Sequence, residues 1–216
     1  RSTIMFVARI LYPVKNLGPG NRLGIWVSGC NRCCAGCANP ELHDRLSEHQ
    51  ISLEALKKII YMLPVLPEGV TITGGEPFDQ TEEIYELCEW LNHEVSEDIL
   101  IYTGYTLRQL TDRNDDNTDR LLSKIAALVD GEYIEHLNKG NHIKGSENQV
   151  LHVFRQKYCK RYYALDKCGD GQREAQPFLT HDGSIITTGF ESVNFNSDFS
   201  DTLQAEINNG GHYEQT

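Results

Sequence analysis

The sequence predicts an α/β fold built on a parallel sheet, with a small β-hairpin near its C-terminal end. Three observations carry this prediction. Short β-branched or aromatic runs alternate with helix-periodic stretches from residue 6 to residue 154, the pattern of strand–helix–strand crossovers. Two clusters with chemical potential, residues 30–37 and 74–76, each directly follow a predicted strand. Open α/β sheets bind ligands at such strand ends. Finally, Asp182-Gly183 stands between two short apolar runs, a local hairpin signal.

The elements follow in order. Residues 6–14 are mixed apolar and read as a first strand, and residues 23–29 read as a second by their β-branched and aromatic content. Ser52 is a candidate N-cap for a helix whose face is Ala55, Leu56, Ile59, Ile60 and Leu63, ended by Pro64 and Pro67. Residues 70–73 form the next strand. Residues 80–93 are helical, with Ile84, Leu87, Cys88 and Leu91 on one face. Residues 99–103 are a strand and 107–110 a short helical turn. The polar stretch 112–117 reads as a solvated loop, 119–128 as a helix, and 129–130 and 150–154 as strands. Residues 178–180 and 185–188 are the hairpin arms, and the Asn-rich stretch after Glu191 reads as partly disordered. There is no internal repeat. The expected division is a core over residues 5–158 and an extension over 159–216.

The chain has 216 residues, with 20 Lys plus Arg against 31 Asp plus Glu, a formal charge of −11. That balance argues against non-specific nucleic-acid binding, which needs a basic stripe. No apolar run is long enough to span a bilayer, and the N-terminal residues lack a signal-peptide pattern. The expectation is a cytoplasmic protein without nucleic-acid or membrane partners. Thiols stay reduced there, so seven cysteines point to metal or redox chemistry.

Four of the seven fall in Cys30-Asn31-Arg32-Cys33-Cys34-Ala35-Gly36-Cys37. The run parses as two abutting C-x-x-C pairs, or as C-x-x-x-C-x-x-C with Cys33 as a bystander. Three thiolates on a short loop suit an iron–sulfur cluster with one iron left open. Zinc and a redox dithiol are the alternatives. Cys88 reads as a core residue, Cys159 and Cys168 as incidental. Further along, Thr73-Gly74-Gly75-Glu76-Pro77 ends a strand. Paired glycines let backbone approach a ligand, and Glu76 supplies a fixed carboxylate. Alone, this segment reads first as a tight strand–helix turn with an acidic residue at the helix start.

Together, the two motifs resemble the radical S-adenosylmethionine superfamily. Further matches are Gly18-Pro19-Gly20-Asn21-Arg22, Ala38-Asn39-Pro40-Glu41, Tyr102-Thr103-Gly104-Tyr105, Val129-Asp130-Gly131-Glu132-Tyr133 and Gly145-Ser146-Glu147-Asn148-Gln149. Their order is similar to the activating enzymes of anaerobic (class III) ribonucleotide reductase, over roughly residues 18–154. The chain departs from that pattern at Gly36, where a larger residue is common, at the extra Cys33, and in its length.

The resemblance implies an open, partial (β/α) barrel. It implies a 4Fe–4S cluster on Cys30, Cys34 and Cys37, and S-adenosylmethionine chelated at the open iron. The expected cofactor-binding residues are Gly36, Ala38, Asn39, Thr73, Gly74, Gly75, Glu76, Thr103, Ser146 and Asn148. No catalytic side chain is expected beyond cluster and cofactor. The implied reaction is reductive cleavage of S-adenosylmethionine and hydrogen abstraction from a glycine of a glycyl-radical reductase. Flavodoxin or ferredoxin is the implied electron donor. Three other features have bland readings beside functional ones. The loop 138–144 reads as an exposed connection, His43 as a solvated loop histidine, and Tyr105 equally as core or cofactor-stacking.

Overall fold

The computed structural model describes residues 3–166, 175–180 and 183–190. The elements are β1 (Ile4–Val14), β2 (Arg22–Val27), β3 (Gln50–Ser52), α1 (Leu53–Tyr61), β4 (Gly69–Gly74), α2 (Thr81–Glu94), β5 (Ile99–Tyr102), α3 (Leu107–Thr111), α4 (Asp116–Lys124), β6 (Ala127–Asp130), β7 (Val150–Val153), α5 (Cys159–Leu165), β8 (Ala175–Leu179) and β9 (Ile185–Gly189). Seven strands form one sheet in the order β3-β1-β2-β4-β5-β6-β7. Its centre, β2-β4-β5-β6, is parallel. The pairs β1–β2, β1–β3 and β6–β7 are antiparallel.

The expected parallel sheet is thus correct at its centre and wrong at both sides. On one side the connection length explains this: a parallel pair needs a crossover of a dozen or more residues, and the link from β1 to β2 is shorter. The link from β6 to β7 is longer, but it carries only a single 3-10 turn, Glu135–Leu137, in place of a crossover helix.

Strand alternation sorts the side chains onto two unlike faces. Ile25, Val27, Ile72, Ile99, Ile101 and Leu128 pack with Leu56 and Ile60 of α1, Ile84, Leu87 and Leu91 of α2, Leu110 of α3 and Leu121 of α4. Their neighbours Trp26, Leu100, Ala127 and Val129 lie in two other clusters. That second face meets Tyr162 of α5, Ile143, and Phe178 of the hairpin. Among the described residues it has one helix against it, and this leaves room for a cavity.

Capping accounts for several boundaries. Ser52 Oγ accepts from the Ala55 N–H at 3.2 Å, as expected at the start of α1. Asp115 accepts from the N–H groups of Asn117 and Thr118, so α4 begins before residue 119 and ends at Lys124. Residues 125–128, assigned to that helix from the sequence, instead enter β6. Leu100 and Ile101 pair there with Ala127 and Leu128, and all four are buried. The hairpin arms pair antiparallel, Leu179 opposite Ile185. His181, Asp182, Cys168 and the stretch after Phe190 lie outside the described residues.

A buried polar group anchors the second face. Arg22 is fully buried at the start of β2, with Asp98 at 3.3 Å. It also donates to Thr71 Oγ1 and to the carbonyls of Pro19, Val70 and Asp98. The Tyr162 hydroxyl donates to the same Asp98 carboxylate. No described helix is long and apolar enough to cross a membrane.

Candidate functional site

The cysteine loop leaves the sheet at the end of β2 and returns to it. The Gly29 N–H donates to Leu42 O and the Cys30 N–H to His43 O, both at 2.8 Å, which closes residues 30–42 into a loop. Within it the Cys37 N–H reaches Cys34 O at 3.2 Å. Cys33 takes a left-handed φ of 49° and is exposed. Non-glycine residues seldom adopt that conformation. Here Cys33 is turned to solvent, whereas Cys30, Cys34 and Cys37 border one cavity of about 220 Å³.

The Gly-Gly-Glu segment is laced onto the base of this loop. The Gly75 N–H donates to Val27 O at 2.7 Å, and the Glu76 N–H to Gly29 O at 2.8 Å. A Cβ on Gly74, whose φ is +103°, would lie 2.5 Å from Val27 O, and one on Gly75 would lie 2.5 Å from Gly29 O. The paired glycines therefore serve an approach of backbone to backbone. They hold the end of β4 against the entrance to the cysteine loop.

Glu76 is buried and ties β4 to β5. Its carboxylate accepts from the Phe78 N–H at 2.9 Å, Thr103 Oγ1 at 2.8 Å and the Gly104 N–H at 2.9 Å. Burial pushes its pKa up to about 7, against the pull of those three donors. Thr73, Gly74, Gly75, Glu76 and Thr103 all border the cavity with the three cysteines, as do Ala38 and Asn39.

The remaining expected residues lie beside the cavity. Gly36 turns the loop with φ +71° and faces Glu135. Ser146 is buried and accepts from the Ile134 N–H at 3.1 Å. Asn148 is exposed, donates to Glu132 O at 2.7 Å, and borders a separate groove with Asp130 and His152. Gln149 does reach the cavity, accepting from Gly145 N–H and donating to Gly131 O. These side chains brace residues 131–149 into a wall.

Several lining residues escaped the sequence reading. The loop 138–144 is not an exposed connection: Asn138, Gly140 and Ile143 are buried, and the loop borders the cavity. Its Gly and Asn content signals a turn and says nothing of what the turn faces. His43 borders the cavity too, and its Nε2 is buried without a partner. Arg32 crosses Gly104, where a Cβ would meet its Cδ at 2.3 Å, and its Nε is likewise buried and unpartnered. Tyr105 is not a lining residue. It donates to Asp79 at 3.0 Å and lies between the guanidinium groups of Arg32 and Arg113.

The electrostatics of the thiols are consistent. Burial raises the pKa of Cys30, Cys34 and Cys37, and nearby Glu76, Glu132 and Glu41 add to the rise. Backbone N–H groups of Arg32, Cys33, Tyr133 and Asn39 oppose it. Thiolates here need cationic compensation, and bound iron supplies it. Three thiolates on one cavity suit a cluster, because each thiolate takes its own iron. Three thiols on one cavity, an adjoining glycine cradle and two orphaned buried nitrogens fit an iron–sulfur cluster with a polar ligand beside it.

Comparison with known proteins agrees. The family model described as "4Fe-4S single cluster domain" matches residues 16–152. The anaerobic ribonucleoside-triphosphate reductase-activating protein of Vibrio cholerae is 36% identical over 151 residues, 66% of this chain and 95% of that protein. Its Escherichia coli K12 counterpart is 33% identical over 153 residues, 67% of this chain and 96% of that one. Among solved structures, QueE from Escherichia coli aligns with a TM-score of 0.42 and 19% identity, over 48% of this chain and 53% of that chain. That overlap is too slight to bear on function. On the family model and these relatives, the chain belongs to the 4Fe–4S single cluster domain family, in its anaerobic ribonucleoside-triphosphate reductase-activating branch.

Proposed function

We propose that the chain is a radical S-adenosylmethionine activase that installs a glycyl radical on an anaerobic ribonucleotide reductase. The observation that carries this reading is the sorting of the four clustered cysteines: Cys30, Cys34 and Cys37 border one cavity and Cys33 is turned away. When bound, the cluster and S-adenosylmethionine supply reductive carbon–sulfur cleavage and hydrogen-atom abstraction.

The chain's own residues hold and orient those groups. Cys30, Cys34 and Cys37 are the proposed cluster ligands. The backbone of Thr73, Gly74 and Gly75 offers acceptors for the amino group of the methionine moiety, with Ala38, Asn39 and Thr103 on the same cavity. Glu76 holds β4 to β5 with all its described hydrogen bonds inside the protein, so its part is positioning. Ser146 and Asn148 brace the wall that carries Tyr133 and Gly145, and Gly36 turns the loop between two ligands. Orientation and water exclusion are what the protein contributes to such chemistry. An open (β/α) barrel, with residues 5–158 as core and 159–216 as extension, belongs to this reading. The family match ending at residue 152 supports it. A flavodoxin- or ferredoxin-type donor would supply the electron.

The test is anaerobic purification, iron and sulfide analysis, and detection of 5′-deoxyadenosine after reduction with S-adenosylmethionine present. About four irons per chain and product release are expected, lost in Cys30→Ala, Cys34→Ala and Cys37→Ala and kept in Cys33→Ala. Zinc without iron, or loss of the cluster in Cys33→Ala alone, would overturn the assignment. Incubation with the reductase should then give the electron paramagnetic resonance signal of a glycyl radical.

A further inference from the structure

The C-terminal hairpin lies beyond the family match, which ends at residue 152. The Vibrio cholerae relative is 95% covered by an alignment that uses only 66% of this chain. A large part of this chain thus has no counterpart there. The hairpin nevertheless reaches the functional cavity: Thr187, Thr188, Gly189 and Phe190 border it together with Cys30, Cys34 and Cys37.

It is fastened by side chains chosen for the purpose. Asn16 donates to Thr188 O at 2.7 Å and accepts from Thr188 Oγ1 at 2.9 Å. Gln176 donates to Pro13 O and accepts from the Lys15 N–H, both at 2.8 Å. Each amide thus uses both its donor and its acceptor across the contact between the hairpin and residues 13–16. Phe178 packs toward Val14, Trp26 and Leu42. Phe190 stacks on Tyr133, ring centroids 4.8 Å apart and planes 15° apart. Tyr133 borders the same cavity as Cys34.

We propose that the hairpin is an added wall of the cysteine cavity that shields the cluster-binding thiols, with Phe190, stacked on Tyr133, closing the cavity that Cys34 borders. An unpaired hairpin is marginal in water, so its place depends on these fastenings. A sheltered cavity would keep solvent and foreign thiol reagents from the ligands and narrow the route by which a substrate segment enters. The inference stands on the cavity geometry and survives or fails independently of the radical chemistry proposed above.

The test uses the whole 216-residue chain, metal-free, under anaerobic conditions. Pulses of N-ethylmaleimide are followed by mass spectrometry, with fragment ions resolving each cysteine. Cys33, exposed, and Cys88, buried, are internal references. The expected result is that Phe190→Ala, and separately Asn16→Ala with Gln176→Ala, raise the labelling rate of Cys34 at least about fivefold. Cys33 should keep its rate, Cys88 should stay unlabelled, and Phe190→Tyr should restore protection. Rates at Cys34 within about twofold of wild type in both variants would overturn the proposal. So would opening of Cys88 in both, which would make the hairpin part of the core's support instead of a wall. Because the probe reads thiols without metal, a failure to find a cluster or cofactor cleavage leaves the outcome decisive.

Discussion

The backbone approach that leads directly into the cysteine loop gives the sharpest prediction. Gly75→Ala places a methyl 2.5 Å from Gly29 O and 3.0 Å from Gly29 C and N, where ordinary contacts begin at 3.4 Å. All three atoms are backbone, so no side chain can swing aside. Relief requires most of an ångström of movement between the end of β4 and the residue before Cys30. That movement strains or breaks the bond from the Glu76 N–H to Gly29 O. Overpacking of this kind costs about 1–3 kcal/mol, and a lost hydrogen bond about 1 kcal/mol more. Reduced freedom of the unfolded chain returns about 0.4–1 kcal/mol. The net expectation is a loss of about 1–3 kcal/mol. In urea unfolding of the metal-free chain, with m of about 2–3 kcal/mol/M, this lowers Cm by roughly 0.3–1.5 M at unchanged m. Reconstitution with iron and sulfide should fall as well, since the shifted atoms lead directly into Cys30. A loss below about 0.5 kcal/mol with full cluster loading would refute the claim that backbone approach is why position 75 is glycine.

Three further outcomes are expected. In the metal-free chain, Glu76 has a folded pKa of about 7 against an ordinary 4.5. The folded state therefore binds more protons between those values, and its contribution to stability is full below 4.5 and declines as pH rises through 7. Urea titrations from pH 5 to 8 should show that decline in wild type and its absence in Glu76→Gln; parallel curves would refute it. Arg22→Met removes the nearer of two guanidinium partners of the fully buried Asp98 carboxylate and leaves Arg161 at 3.5 Å, at a cost of at most roughly 3–5 kcal/mol. Adding Asp98→Leu should recover part of the loss in thermal unfolding, and no recovery would show that Arg22 acts through its carbonyl contacts. Asp115→Ala removes the acceptor of two N–H groups at the start of α4, worth about 1 kcal/mol. Amide exchange should quicken first in that helix, and unchanged exchange there would count against the cap.

What was legible in the sequence follows from local physics. The strands β2, β4 and β5 are recognisable because they are short runs rich in β-branched, aliphatic and aromatic residues. The first helix is recognisable from its cap and its face. By contrast, the run from Ile125 to Val129 suits a helix or a strand by composition, and only pairing with Leu100 and Ile101 decides it. The three-residue β3 has too little length to show a period. Tyr162 sits in a basic, polar stretch, yet it is fully buried through its hydrogen bond to Asp98, sixty-four residues earlier.

The site divides in the same way. Cys30, Cys34, Cys37 and the Gly-Gly-Glu segment stand out because thiol spacing on a short loop and paired glycines at a strand end carry their chemistry in local order. By itself, then, the sequence determined the α/β class, the cluster motif and the family. Tertiary structure decided the rest. It turned Cys33 outward through a left-handed φ, and it engaged the Glu76 carboxylate in holding β4 to β5. It also brought the loop 138–144, His43 and the hairpin onto one cavity. These outcomes depend on contacts between residues tens to more than a hundred positions apart. Neither periodicity nor spacing encodes such contacts, because side-chain direction is set only once the sheet has fixed which face each strand presents.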